Sequence, residues 1–379
     1  MHTTLPQSIS PELLAHFLRT KKESSFIHQL RSDAFTYLST HHLPDLHSSF
    51  SLDTLRAPDF SSSTLTITNA SPEDLSALHP SEFQLLSQSF DSFDAFTTAF
   101  FTQGTVLRIT QTQDQPILIH KHTSTGASTD ILVIIVAADT TCTIIEHTTS
   151  DDHALLSSTH VIIIAHPHAS VTYTSLQHTN LQTTTFTTRK GFAHAHAHLH
   201  WHEAFLGGLS HAAHTTTMLE AERATTTSQH IILGKDTQHF HLTTNAIHNA
   251  PHTTSTLRTK TALAHAAQLT YQGTITIPPH SFGSDGYQKS DTLLLSEEAQ
   301  ADAVPQLNIH NHDVTCTHGS TISTLDKEIL FYLTSRGISP AEAGNHIILG
   351  FFAPLLDTIP HHNTKETIQE MISNYLPLL

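Results

Sequence analysis

Five histidines stand at every second position in GFAHAHAHLHWHEAFL, residues 191–206, as His194, His196, His198, His200 and His202. Imidazole is the commonest side chain for holding a transition metal. Alternation of this kind predicts a strand with the imidazoles on one face and Ala193, Ala195, Ala197, Leu199 and Trp201 on the other, turned to a core. Neighbours along one strand face stand roughly 6 to 7 Å apart and point the same way, so the row alone cannot converge three or four donors on an ion. A solvated or ladder-stacked histidine face is expected. HEAFL at 202–206 lacks the second histidine of a metalloprotease helix, because Leu206 stands in its place. HAAH at 211–214 and HFH at 239–241 receive the same reading, since the chain carries 35 His against 17 Lys+Arg and histidine neighbours are common by composition.

A quieter pattern pairs two different donors. Cys316 and His318 flank Thr317, and residues two apart in a strand face the same side, so thiol and imidazole can be presented together. Two such donors suit iron or zinc but are fewer than a closed site needs, which fits a shared or transient site completed by another chain. The alternative is an inert buried cysteine beside a histidine bonded to backbone. Cys142, in DTTCTIIEH, is expected in the core. Other chemistry is missing: no glycine-rich nucleotide loop surrounds Gly234-Lys235 and no G-x-S-x-G elbow occurs, so any nucleotide energy would come from a partner.

Composition narrows the class. A formal charge of −16 argues against a nucleic-acid-wrapping protein, which needs a basic surface. Two cysteines are too few for a disulfide framework, and MHTTLPQSISPELL lacks a signal pattern, so a reducing cytoplasm is expected. ILVIIVAA at 131–138 and VIIIA at 161–165 are too short to span a bilayer and have the length and β-branching of buried strands.

The positioning elements fall in three regions. Residues 1–104 carry helix signals, with Ser10-Pro11 and Ser71-Pro72 placing a capping hydroxyl before a first-turn proline. Residues 42–64, rich in Ser and Pro, read as irregular. Residues 105–324 are short Thr-, Ile- and Val-rich runs broken by Gly, Asn, Asp and Pro, hence serial strand: a sandwich, propeller or β-helix, among which spacing cannot choose without a strict repeat. Residues 325–379 return to helix, with starts expected near Leu325, Pro340 and Thr364. Gly337 is a stop, Ser339 and Glu342 make a capping box, and Asn363 with Glu366 resembles a second.

Residues 305–338 read PQLNIHNHDVTCTHGSTISTLDKEILFYLTSRGI. With HNAPHTTSTLRTKTAL, YQGTITI and DTLLLS upstream, this segment resembles the SufB/SufD family of iron–sulfur cluster assembly proteins, most closely from Gly207 to Ala343. Gly319 after His318, and DGYQKSDTLLLS without cysteine, are similar to the SufD branch. Asn308 and HNHDV depart from the family's more acidic pattern, which leaves room for an altered partner surface. The resemblance implies a mainly β fold, a right-handed parallel β-helix between helical ends. It implies a non-enzymatic scaffold subunit that pairs with a SufB-type subunit, or with itself where SufB is absent, and docks a SufC-type ABC ATPase. No nucleotide on this chain, no nucleic acid and no membrane are expected. Cys316 and His318 would touch iron or a nascent iron–sulfur cluster at the subunit interface. The ATPase would meet Phe331, Tyr332, Arg336, Ile347, Phe351 and Phe352 in the carboxy-terminal helices, whose other role would be to cap the solenoid end. A stand-alone β-solenoid enzyme and a histidine-rich metal-storage protein are the competing readings.

Overall fold

A computed structural model describes residues 11–20, 23–40, 63–87 and 92–375. The irregular segment expected at 42–64 lies outside them, except that Ser63 and Thr64 open strand β1 (Ser63–Thr68). The amino-terminal region holds α1 (Pro11–Thr20), α2 (Ser25–Thr40), α3 (Pro80–Ser87) and α4 (Ser92–Phe100). Ser71-Pro72 does not start a helix: Pro72 opens β2 (Pro72–Asp74), followed by a 3-10 turn at Leu75–Ala77 whose first turn Asp74 caps through Ser76 N at 2.9 Å. A proline, having no N–H to donate, is tolerated in so short an edge strand.

The Thr-, Ile- and Val-rich centre is extended because β-branched side chains restrict the first torsion and pack well on a pleated surface. It forms β3 (Gln103–Ile109), β4 (Ile117–Val136), β5 (Thr141–Ala165), β6 (Ser170–Thr179), β7 (Thr184–Ala193), β8 (His198–Gly207) and β9 (Ser210–Leu219). The winding continues through β10 (Thr225–Gly234), β11 (His239–His248), β12 (Thr254–Leu263), β13 (Gln268–Ile277), β14 (Ser284–Leu294), β15 (Gln300–Ile309) and β16 (Val314–Thr324). Each strand from β6 onward pairs in parallel with the one two ahead, even-numbered strands in one sheet face and odd-numbered in the other. The long β5 joins the faces, its first half beside β6 and its second beside β7. The chain is therefore a parallel β-solenoid with helices at both ends, the expected fold class. Thr225 lies beside His198, Thr254 beside Thr225 and Asp285 beside Thr254, steps of 27, 29 and 31 residues. Turns of unequal length leave no strict sequence period.

One corner recurs with left-handed backbone. Asp139, His168, His196, Arg223, His252 and Gly283 have φ between 56° and 65°. Their N–H groups donate to the coil above: His168 to Ala195 O at 2.9 Å, His196 to Glu222 O at 3.1 Å and His252 to Phe282 O at 2.9 Å. Asp, Asn and His are the non-glycine residues that enter this region most readily. The predicted strand over 194–202 therefore starts only at His198, because residues 194–197 turn the corner.

The amino-terminal end of the solenoid is covered. Strand β1 pairs antiparallel with β4 and β2 with β3, while Phe93, Phe96 and Phe100 of α4 pack with Ala127, Leu156 and Phe186. Buried Arg31 of α2 donates to Ala99 O at 3.0 Å and Phe101 O at 2.9 Å, tying the end of α4 to α2. The carboxy-terminal end is different. Among the described residues β15 and β16 have no strand on their outer edges, and β15 alternates between exposed and half-buried along its whole length.

Helices α5 (Lys327–Ser335), α6 (Pro340–Leu356) and α7 (His362–Tyr375) do not cap that end. Ile348, Phe352, Leu355 and Leu356 of α6 and Ile368 and Ile372 of α7 lie on the outer face of the even sheet, against Leu176, Ala204, Ile231, Ala262 and Leu293. The helices run back along the solenoid because that face, unlike the end, offers a continuous apolar stripe. Ser339 and Glu342 form the expected capping box, and Gly337 (φ 92°) follows α5. Asn363 is inside α7, which begins at His362, so the second capping box does not form.

Candidate functional site

Cys316 and His318 sit on β16, in register with Gly286 and Gln288 of β14. Val314 and Cys316 point toward the last apolar cluster of the solenoid, formed by Ala246, Leu257, Ile275 and Ile277, and Cys316 is half-buried there. His318 shares the strand parity of Cys316 and is exposed. The sulfur fits because residue 286 is glycine: a Cβ there would stand 2.9 Å from Cys316 Sγ, closer than packed atoms allow. Gly286, within DGYQKSD, is a positioning residue that the sequence reading passed over, although its loss of side chain in a strand was a visible signal.

The Cys316 thiol is pushed up from its ordinary value, first by burial and then by Asp285. These surroundings disfavour the thiolate and do not activate the sulfur as a nucleophile. No group of three or more His, Cys, Asp or Glu that could hold a metal occurs among the described residues. Cys316 and His318 thus lie two residues apart on the last strand of the even sheet, with no third donor grouped with them among the described residues.

The histidine row is dispersed. His194 stacks on His166 with centroids 5.5 Å apart and planes 8° apart, and His196 on His168 at 4.8 Å and 5°. His198 is exposed, His200 half-buried and His202 buried on β8. Coil-on-coil stacking of this kind spreads the ring nitrogens along the solenoid instead of converging them. His211 is buried, and its Nε2 donates to Gly207 O at 2.7 Å, a structural bond. Cys142 lies in the core, and burial pushes its thiol up to about 12.

The six expected docking residues divide. Helix α5 buries none of its residues, and Ile329, Phe331 and Tyr332 are exposed, Phe331 by 72%. Arg336 lies over the Tyr332 ring at 5.2 Å. Ile347 and Phe351 are half-buried, with Lys260 Nζ 4.1 Å from the Phe351 ring centroid. Phe352 is fully buried in the α6 contact with the sheet, so it anchors the helix and is closed to a partner.

The family model for the SufBD core domain of the SUF system of FeS cluster assembly matches residues 118–351. The chain belongs to the SufBD family. The match runs from β4 into α6 and takes in Cys316, His318 and all of α5. Proteins named as iron–sulfur cluster assembly SufBD family proteins from Staphylococcus haemolyticus, Staphylococcus epidermidis and Staphylococcus aureus are each 29% identical over 219 residues, 58% of this chain and 46% of the relative. The match thus spans less than half the length of those relatives.

The SufBD core also holds a charged interior that the sequence reading missed. Arg189 Nη1 donates to Glu203 Oε2 at 2.7 Å and Nη2 to Ser175 Oγ at 2.7 Å, with Glu146 Oε1 4.0 Å away. Tyr173 donates to Glu146, and Thr215 to Glu203 at 2.8 Å. These residues lie scattered over five strands, so only the winding reveals them as one network. No helix among the described residues is long and apolar enough to cross a membrane.

Proposed function

We propose that this chain is a SufD-like, non-enzymatic scaffold subunit for iron–sulfur cluster assembly. It pairs with a SufB-type solenoid through its uncovered end and docks a SufC-type ABC ATPase through α5. The observation that carries this reading is the pair of edge strands β15 and β16, whose outer edges no strand covers among the described residues, one of them carrying Cys316 and His318. Exposed strand edges are normally blocked, because free N–H and C=O groups invite another chain. A two-donor half-site at such an edge suits a cluster that is cargo, held briefly and completed by ligands from the partner. The exposed apolar residues of α5 support the second contact, since contiguous surface apolar groups mark interaction sites.

Affinity capture of the tagged full chain from its native cell tests both contacts. An ABC ATPase and a second β-solenoid subunit should co-purify. Capture of the ATPase with only this chain in the complex would replace the heterodimer by a homodimer. Capture of neither protein would sink the scaffold reading.

A further inference from the structure

We propose that a cleft on the second corner of the solenoid, far in sequence from Cys316, binds a small phosphate-bearing ligand. The cleft has a volume of about 420 Å³ and is lined by Thr149, Ser150, His178, Thr179, Asn180, Leu181, Gly207 and Lys235. Its lining contains an ammonium, an imidazole, an amide and three hydroxyls, and no carboxylate. In a chain of formal charge −16 a lining that holds an ammonium and no carboxylate favours an anion. Two acids next to lining residues in sequence pair with imidazoles: Asp151 lies 3.4 Å from His122 Nε2, and Asp236 lies 3.0 Å from His265 Nδ1. More imidazole borders the cleft, since Thr149 Oγ1 contacts His122 Nδ1 at 2.9 Å and His120 Nε2 at 3.2 Å.

The walls are held in place before any ligand arrives. Asn180 Nδ2 bonds Ser150 Oγ at 3.0 Å and Thr183 Oγ1 at 2.8 Å, which fixes the loop after β6. Gln238 Nε2 donates to Gly207 O at 2.6 Å, which ties the next two loops together. Gly207 (φ 90°) must be glycine, because a Cβ there would come within 2.3 Å of Thr179 O. Thr179, a residue 3% exposed, is part of the cleft wall, and its buried hydroxyl has no hydrogen-bond partner among the described residues. An unsatisfied buried hydroxyl costs stability, and rotation of the Thr179 side chain toward a bound oxyanion would satisfy it. Lys235 supplies the charge, His178, whose pKa burial lowers, supplies a neutral imidazole, and the hydroxyls between suit the several oxygens of a phosphate group. Exposed Leu181 gives the rim an apolar side that would accept the organic part of a phosphate ester.

The test uses the full chain at neutral pH and low salt, with calorimetric titration of inorganic phosphate and of phenyl phosphate, and chloride as the control anion. Saturable binding of phosphate or its ester at one site is expected, with chloride inert. Lys235→Met should weaken it about tenfold or more, while Lys235→Arg, which keeps the charge, stays within about threefold. Thr179→Val, which keeps shape and removes the hydroxyl, should weaken it several-fold, and Lys289→Met on the distant surface should leave it unchanged. Tighter phenyl phosphate would identify an ester as the natural form, and equal binding the free ion. Absence of saturable binding by both anions, or undiminished binding by a folded Lys235→Met chain, would overturn the proposal. Neither result bears on cluster assembly, whose readout is separate.

Discussion

At Cys316 the placement of the sulfur depends on one neighbour's missing side chain. Because the sulfur occupies the space beside Gly286, Gly286→Val should displace it, and cluster accumulation in the assembled complex should fall as it does in Cys316→Ala and His318→Ala. All three should still assemble. Normal accumulation in both single alanine variants would remove the site from β16. The histidine row serves as the comparison, but His196 is in left-handed backbone, where a β-branched residue is strained by about 1–2 kcal/mol. The comparison is therefore His196→Asn with His198→Thr and His200→Thr, which should leave accumulation largely intact. His196→Val alone should lower the urea midpoint and His196→Gly should not. Equal effects of the two would mean that the corner imposes no backbone constraint.

The carboxy-terminal helices are one element group with two surfaces. Phe352 lies in the sheet contact, and its truncation to Ala should cost about 3–5 kcal/mol, as for other buried aromatics. Phe331 and Tyr332 face outward, so changing both to Ser should shift stability by less than about 1 kcal/mol while abolishing capture of the ATPase. Unaltered capture would move the docking surface off α5. Deleting 339–379 would be a poorer test of docking. It would uncover the apolar stripe of the even sheet and confuse loss of docking with loss of fold.

Over the whole molecule, buried imidazoles tie stability to pH. Burial pushes His202, His211 and His248 each down to about 4, whereas in the unfolded chain they titrate near 6.5. Between those values the unfolded chain binds more protons, so stability rises with pH. It is fully present above about pH 6.5 and is lost as pH falls toward 4. Denaturant titrations at pH 7.5 and pH 5 should differ by a few kcal/mol. Equal stability at the two pH values would mean these imidazoles are protonated without penalty in the fold.

The strand-rich centre, the helical ends, the capping box at Ser339 and the Cys316-Thr317-His318 spacing were legible in the sequence, because they depend on local torsional preference and on periods of two or three to four residues. The family resemblance at 305–338 added the solenoid, which unequal turns of 27 to 31 residues had hidden from spacing alone. Ser71-Pro72 became a strand because pairing with β3 outweighed its capping signal. Where the histidines go was decided by winding: the same alternation that looks like one face is divided between a left-handed corner and the start of β8. Winding also brought Arg189 to Glu203 and Glu146, and Lys235 to His178, pairs with no signature along the chain. It placed α6 and α7 on a side face and, among the described residues, left the outer edges of β15 and β16 without a strand. Local physics selects elements, but which faces meet depends on stacking one coil on the next, and that register exists only in the folded chain.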